Sequence, residues 1–400
     1  MALRRIEGNR VGRRKAAVCS VATLFTLALP AQLAQADTIR SQQWYLDAMR
    51  AEEMWQRSTG SGMTVAVVDS GVDAELPDLR GQVLPGEDFS GLEGDAHSDY
   101  DGHGTGMAVL IAGSGKGNGG VGAFGLAPGA KILPLRVANA KVPASKVLTA
   151  DSMASAIRYA ADSEAKIINI SMGSPQKRDA VDEAVKHAVS KGKLVFAAVG
   201  NTGDKSNLVE YPAAFPGVVG VAAVDQDIKA TAESQHGPQV DLAAPGDNIV
   251  ATCKGGTGLC RSHGTSDATA LASASAALLW SAHPDWTANQ VLRVLINTAG
   301  GPKSGEKRSD SIGYGVVRPR IALQNPGDPG PADVSPLPEL AAAKSPAPDV
   351  AAPPASSQAD KADSALLSKR NLIAVGACSA IAAAVTVAVL VARRRRALTS

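Results

Sequence analysis

The chain has 400 residues, 45% hydrophobic and 20% charged, which are globular values and exclude a wholly disordered protein. With 40 basic and 38 acidic residues the formal net charge is +2, and aromatics are only 4%, so neither charge nor stacking surface supports nucleic-acid binding. The 40 glycines signal many tight turns.

In chain order, Arg4, Arg5, Arg10, Arg13, Arg14 and Lys15 form a basic head, and an apolar run follows over residues 16–30. Ala34-Gln35-Ala36 then offers the small residues that a signal peptidase reads, so residues 1–36 are expected to be a signal peptide. An uncleaved N-terminal anchor is the alternative.

Short apolar, β-rich runs alternate with helical patterns through residues 37–324. Strands are expected over 63–68, 131–137, 166–171, 193–199, 218–224 and 240–243. Helices are expected over 103–112, 147–162, 178–191, 265–282 and 288–298. Runs apolar on both faces and joined by helices predict an α/β domain, with a mostly parallel central sheet covered by helices on both faces. Ligands on such sheets bind beyond the carboxyl ends of the strands. The glycine-rich residues 113–122 read as a flexible loop.

Residues 325–370 are rich in Pro, Ala, Ser and Asp and are expected to form a disordered stalk. Residues 371–392 carry no charge, enough chain at 1.5 Å per residue to cross ~30 Å of hydrocarbon. Arg393, Arg394, Arg395 and Arg396 follow, and a Lys/Arg excess marks the cytoplasmic flank. The expected topology is a single-pass cell-membrane protein with its 37–324 domain outside and the tail 393–400 inside. Cys19 lies in the leader and Cys378 in the apolar stretch, which leaves Cys253 and Cys260 for the exported domain. An oxidising compartment favours a Cys253–Cys260 disulfide over a metal site, with two free thiols as the alternative.

Four motifs at the expected strand ends carry chemistry. Asp69 closes the run Val65–Val68 and precedes Ser70-Gly71; by itself it reads equally as a turn cap. His103 starts a small-residue helix within Asp101-Gly102-His103-Gly104-Thr105-Gly106, though a lone loop histidine is more often solvated. Asn201 follows Gly200 after the fourth strand, where its amide could donate into the same cleft or simply form a turn. Ser266 opens the helix after Gly264-Thr265, either as an N-cap or as a hydroxyl in an electropositive helix-terminal field.

Together, in the order Asp, His, Asn, Ser, these motifs resemble the subtilisin-like (S8) serine peptidases over about residues 43–322. The segments Ile170-Ser171-Met172-Gly173, Ala197–Asn201 and Gly313-Tyr314-Gly315 carry the same resemblance. It implies a serine endopeptidase acting on polypeptides, with Ser266 as nucleophile, His103 as general base and Asp69 orienting it. It also implies Asn201 and the Ser266 backbone N–H as oxyanion donors and Ser171, Met172 and Gly173 as substrate-binding residues. No cofactor and no metal is implied. His97, Asp99, Asp101 and His103 alternate like a metal cluster, but using His103 as a ligand would remove the base. His263, three residues before Ser266, cannot readily bond the Oγ of that helix-start serine and is expected instead to touch substrate or tune the cleft. His187, His236 and His283 read as surface or loop residues.

With little chain for an inhibitory prodomain before Asp69, residues 41–55 are expected instead to form one short helix leading into the first strand. A signal peptide, that short lead-in, a stalk, one span and a basic tail resemble the mycosins. These are membrane-anchored peptidases associated with type VII secretion systems, so the resemblance implies such a membrane complex as partner. The alternative is a catalytically weak peptidase fold serving as a structural part of a secretion complex. Two residues depart from the family pattern: Asp267 stands where a hydrophobic residue usually follows the nucleophile, and Ala270 stands for a proline. Asp267 would favour the helix start yet place negative charge near a developing oxyanion.

Overall fold

The computed structural model describes residues 38–137, 150–252 and 259–337. The expected signal peptide, the stalk beyond residue 337, the apolar stretch 371–392, the basic tail and Cys253 lie outside them. Among the described residues no helix is long and apolar enough to cross a membrane.

The chain enters through two short helices, α1 (Trp44–Met49) and α2 (Ala51–Trp55). Seven strands then build the sheet: β1 (Thr64–Asp69), β2 (Glu87–Asp88), β3 (Lys131–Arg136), β4 (Ile167–Ile170), β5 (Leu194–Ala198), β6 (Val218–Val224) and β7 (Leu242–Pro245). Their spatial order is β2-β3-β1-β4-β5-β6-β7, and every neighbouring pair is parallel. An antiparallel hairpin of β8 (Ile249–Thr252) and β9 (Leu259–Ser262) stands apart.

The helices complete three layers. Helices α3 (His103–Ala112) and α7 (Thr265–Ala282) share one apolar cluster with the hairpin and with α8 (Ala288–Thr298). Helices α5 (Ala150–Asp162) and α6 (Asp179–Ser190) build the cluster on the opposite face. Strand β1 shows why its sequence is apolar throughout: Val65 and Val67 face the first cluster, Ala66 and Val68 the second. Connections leave β1 and β4 in opposite directions along the sheet, which makes the gap beyond their carboxyl ends a topological switch point.

The expected strands and helices are present with ends displaced by at most two residues where described, and residues 147–149 of the fifth helix lie outside the described set. Other differences have local causes. The N-terminal stretch is two helices because Arg50 adopts φ 55°, ψ 57°, the left-handed conformation that ends a helix. The 113–122 segment is not a loose loop. It contains the single turn α4 (Gly117–Gly120), and the buried Asp78 carboxylate accepts from Gly117 N–H (2.6 Å) and Ala123 N–H (3.1 Å). A methyl on Gly122 would fall 2.0 Å from Asp78 Oδ1, so glycine is required at that close approach.

The start of the expected stalk is likewise packed. After α9 (Pro319–Gln324), Arg293 of α8 donates to the carbonyls of Pro329 (2.6 Å) and Pro331 (3.1 Å), and Leu337 is 2% exposed. Prolines have no N–H to satisfy, so side-chain donors hold this segment to α8: the Arg293 guanidinium, Thr287 and Asn289 on the Ala332 carbonyl, and Gln290 on the Gly330 carbonyl at 2.9 Å.

Left-handed backbone costs a non-glycine L residue about 1–2 kcal/mol, and Arg50 gains only a 3.9 Å contact with Glu53 in return. Arg50→Gly should therefore raise stability by up to about 1 kcal/mol, after the entropy that glycine adds to the unfolded chain. A rise in the urea midpoint at unchanged m-value checks this; a fall would show that the Arg50 side chain holds the α1–α2 joint.

Candidate active site

Asp69 ends β1 and is fully buried. Its Oδ1 meets His103 Nδ1 at 2.8 Å and also accepts from the Ser70 N–H at 2.7 Å. His103 begins α3 immediately after Gly102, whose φ of 90° turns the chain into the helix. Gly104 allows this pairing: a methyl there would lie 2.2 Å from the Gly71 carbonyl and 3.0 Å from Asp69 Cβ. The loop before the helix is fixed by Asp99, another buried carboxylate. Asp99 Oδ1 accepts from Ser70 Oγ (2.9 Å), Asp101 N–H (3.1 Å) and Gly102 N–H (2.8 Å), and Oδ2 accepts from Thr105 N–H (2.9 Å) and Oγ1 (2.6 Å). The hydroxyl of Ser70 in turn accepts from Gly104 N–H at 3.0 Å, tying the ends of β1 and α3 together.

Ser266 is in the first turn of α7, at the electropositive end of a helix buried over nearly its whole length. Its hydroxyl donates to the Ser171 carbonyl at 2.9 Å, just beyond β4. A buried chain supports this point: Ser273 Oγ donates to Asn169 Oδ1 (3.0 Å), Asn169 Nδ2 to Ser171 Oγ (3.0 Å), and Ser171 Oγ to the Ser266 carbonyl (3.1 Å). Asn201, after β5, has its Oδ1 taken by Thr265 N–H (2.9 Å) and Thr265 Oγ1 (3.0 Å). That leaves the Nδ2 amide free to donate into the cleft. The same Nδ2 lies 3.0 Å from where a Gly264 methyl would stand, so this amide rests directly against the start of α7.

The structure thus brings Asp69, His103, Asn201, Ser266 and the Ser171–Gly173 segment to the same strand ends. His263 does not pair with Asp69: its side chain is 72% exposed and lies 3.5 Å from the Glu233 carboxylate. His97 bonds the Leu84 carbonyl at 3.1 Å, and among the described residues no three His, Cys, Asp or Glu side chains cluster as metal ligands. Asp267 does not stand open in the cleft. It is 1% exposed and accepts from Ser262 Oγ of β9 at 2.7 Å. Residues that sequence patterning missed are the supports, Ser70, Asp99, Asn169 and Thr265. Their only signal in the sequence is a polar residue beside a motif.

Two charges are displaced from their ordinary behaviour. The Asp69 carboxylate, with Oδ2 buried and without a hydrogen bond, holds the His103 imidazole protonated up to about 9; burial opposes this, and Asp267 and Asp101 add to it. Burial pushes Asp267 up from 3.8 to about 6, partly offset by the Ser262 bond and by His103 and His263.

A subtilase family model matches residues 60–315. The chain belongs to the subtilase family. It is 36% identical over 214 residues to the major intracellular serine protease of Bacillus subtilis (strain 168), covering 52% of this chain and 65% of that protein. The chain thus spans just under two thirds of that relative. Subtilisin Savinase of Lederbergia lenta is 35% identical over 265 residues, covering 65% of this chain and 92% of that protein. Among solved structures, MycP1 from Mycobacterium smegmatis is similar with a TM-score of 0.64 at 28% identity, covering 75% of this chain and 89% of that one. MycP3 protease from the type VII (ESX-3) secretion system has a TM-score of 0.61 at 32% identity, covering 70% and 87%.

The Asp69–His103 pair is expected to show in the imidazole titration. In this subtilase the His103 ring should titrate near pH 9 by NMR, and Asp69→Asn should lower that midpoint by more than one unit. A wild-type midpoint near 6.5 would refute the coupling.

Asp267 gives a second test, on stability. Its folded-state pKa lies above its free value, so the native chain holds the proton more tightly than the unfolded one. Stability is greatest below the free value and falls as pH rises from about 4 through about 6. Asp267→Asn should remove that fall, stabilising the protein by on the order of 2 kcal/mol at pH 7 relative to pH 4. Parallel thermal-midpoint curves for the two proteins across this range would show that Asp267 is not the group responsible.

Proposed function

We propose that this subtilase is an exported, membrane-anchored serine endopeptidase that cleaves polypeptides through Ser266, His103 and Asp69. The reading is carried by one observation: Asp69 Oδ1 lies 2.8 Å from His103 Nδ1 at the same strand ends where Ser266 and Asn201 converge. A neutral hydroxyl is a poor nucleophile until a positioned base takes its proton. Neutral His103 removes the proton as Ser266 Oγ attacks the carbonyl carbon, and Asp69 stabilises the imidazolium. The Asn201 Nδ2 and Ser266 N–H groups donate to the oxyanion of the tetrahedral intermediate. Collapse expels the amine, which receives its proton from His103 and leaves an acyl-enzyme ester. Water activated by the same histidine then releases the acid. Losing one oxyanion donor costs about 2.7–4 kcal/mol of barrier, a magnitude measured on a subtilisin. Ser171, Met172 and Gly173, which run on from β4 along the cleft, pair with the substrate backbone.

The remaining assignments rest on sequence and on similarity to MycP1 and MycP3. Residues 1–36 direct export, 371–392 anchor the chain once in the cell membrane, and 393–400 remain cytoplasmic. The domain works outside, in association with a type VII secretion system. Cys260 is disulfide-bonded, and its proposed partner is Cys253.

A second reading, a catalytically weak component of the secretion complex, draws on two features. Ser266 Oγ is bonded to the Ser171 carbonyl, and Asp267 puts a buried acid beside the nucleophile. A fluorophosphonate separates the readings. Endopeptidase activity requires covalent labelling of Ser266 in the full chain, and loss of labelling and peptide cleavage in Ser266→Ala with the thermal midpoint nearly unchanged. Labelling that persists in Ser266→Ala removes Ser266 as nucleophile, and an unlabelled but folded wild type favours the structural role.

A further inference from the structure

Glu210 occupies an unusual place beside this cleft. The Tyr211 N–H donates to the Ser174 carbonyl at 2.8 Å, and the Ser174 N–H donates to the Tyr211 carbonyl at 3.0 Å. This antiparallel bridge fastens Glu210 alongside the segment Ser171–Gly173. A methyl on Gly173 would lie 2.8 Å from Glu210 Oε2, and one on Gly200 would lie 2.8 Å from its Cδ. The carboxylate therefore stands between two segments that flank the cleft, one running on from β4 and the other leading into Asn201.

The chemistry of this carboxylate is incomplete. Oε1 accepts from Gln235 Nε2 at 3.0 Å, and Gln235, fully buried, also donates to Thr202 Oγ1 at 3.0 Å. Oε2 has no hydrogen-bond partner, and no Lys, Arg or His pairs with Glu210 among the described residues. Burial pushes its pKa upward, with the Gln235 bond as the only opposing influence. A half-buried carboxylate without a counter-ion is costly, and a substrate cation would offset that cost.

Position decides which substrate residue supplies the cation. A scissile carbonyl must reach Ser266 Oγ and the Asn201 amide at once. The side chain on the same Cα then lies within a residue's length of Gly200, which immediately precedes Asn201. We propose that Glu210 is the specificity-determining residue of this site, receiving the Lys or Arg side chain of the substrate residue that contributes the scissile carbonyl. The substrate class is thus polypeptides cleaved after a basic residue. This rests on Ser266 being the nucleophile and deepens that assignment.

The experiment uses the purified full chain and peptidyl diphenyl phosphonates that differ only at the residue bearing phosphorus: a lysine, leucine, phenylalanine or glutamate analogue. These label the nucleophile irreversibly, so preference is read as a labelling rate even where turnover is slow. The lysine analogue should label Ser266 at least tenfold faster than the leucine or phenylalanine analogue, and the glutamate analogue slowest. Glu210→Gln should cut the lysine-to-leucine ratio at least tenfold, and Glu210→Lys should reverse the order of the lysine and glutamate analogues. Equal or slower labelling by the lysine analogue in the wild type overturns the proposal without any variant, as does a ratio unmoved by Glu210→Gln. If a simple fluorophosphonate leaves Ser266 unlabelled, the nucleophile assignment fails, and the specificity proposal falls with it. Labelling of Ser266 without basic preference overturns the specificity proposal alone.

Discussion

The burial of α7 is the constraint on which the site depends. Its sequence, Thr265-Ser266-Asp267 followed by Ala, Thr, Ser and Leu, has no polar face to offer water, and the helix is buried from Thr265 through Trp280 except at Ser266. Small side chains allow it to lie close under β4, β5, β6 and β7. Its hydroxyls do not remain unpaired: Thr269 and Ser275 bond carbonyls four residues back, and Ser273 bonds Asn169 of β4. A helix held this firmly has its N-terminus fixed relative to the strand ends. The position of Ser266 is therefore set by the core rather than by a surface loop.

Electrostatics at that point is set by two buried acids with different partners. Asp69 faces an imidazole and stabilises its cation. Asp267 faces a serine hydroxyl, which gives one hydrogen bond but no counter-charge, so it bears the cost of burial as a raised pKa. Asp267 also adds to the field that keeps His103 protonated. Its position in the first turn of α7 is favoured by the helix dipole, an effect of about 0.3–1 kcal/mol, less than the desolvation it opposes.

Much of this architecture is legible in the sequence because the strands of a doubly covered parallel sheet are apolar without interruption. The run Val65–Val68 ends at the charge of Asp69, and Val218–Val224 lies between Gly217 and Asp225. The hairpin is not legible: β9 is exposed at three of its four residues and carries no buried periodicity. The break at Arg50 is hidden because arginine is a good helix former and left-handed only under tertiary constraint. The packed segment after Asn325 escapes because its contacts are carbonyl acceptors, which any sequence possesses. At the site, the Asp, His, Asn and Ser motifs stand out by their glycine flanks. Asp99 and Glu210 do not, since what distinguishes them is which distant backbone lies beside them.

The direction of the Ser266 hydroxyl bears on the charge of His103. A neutral imidazole has one nitrogen that accepts a hydrogen bond, whereas the cation has two donors and no acceptor. With Nδ1 directed at Asp69 and the ring protonated up to about 9, the remaining nitrogen offers the serine no acceptor near neutral pH. The Ser266 hydroxyl donates to the Ser171 carbonyl at 2.9 Å. Removing the imidazole proton creates an acceptor on the ring, which the proposed mechanism requires for the serine proton. Ser266 Oγ and the Ser171 carbonyl also share the edge along which a substrate backbone would pair. In the proposed mechanism, a substrate that takes up that edge competes for the carbonyl and releases the hydroxyl. Under the proposed mechanism, the Ser266–Ser171 hydrogen bond is thus the one that both alkaline pH and an incoming peptide would act to break.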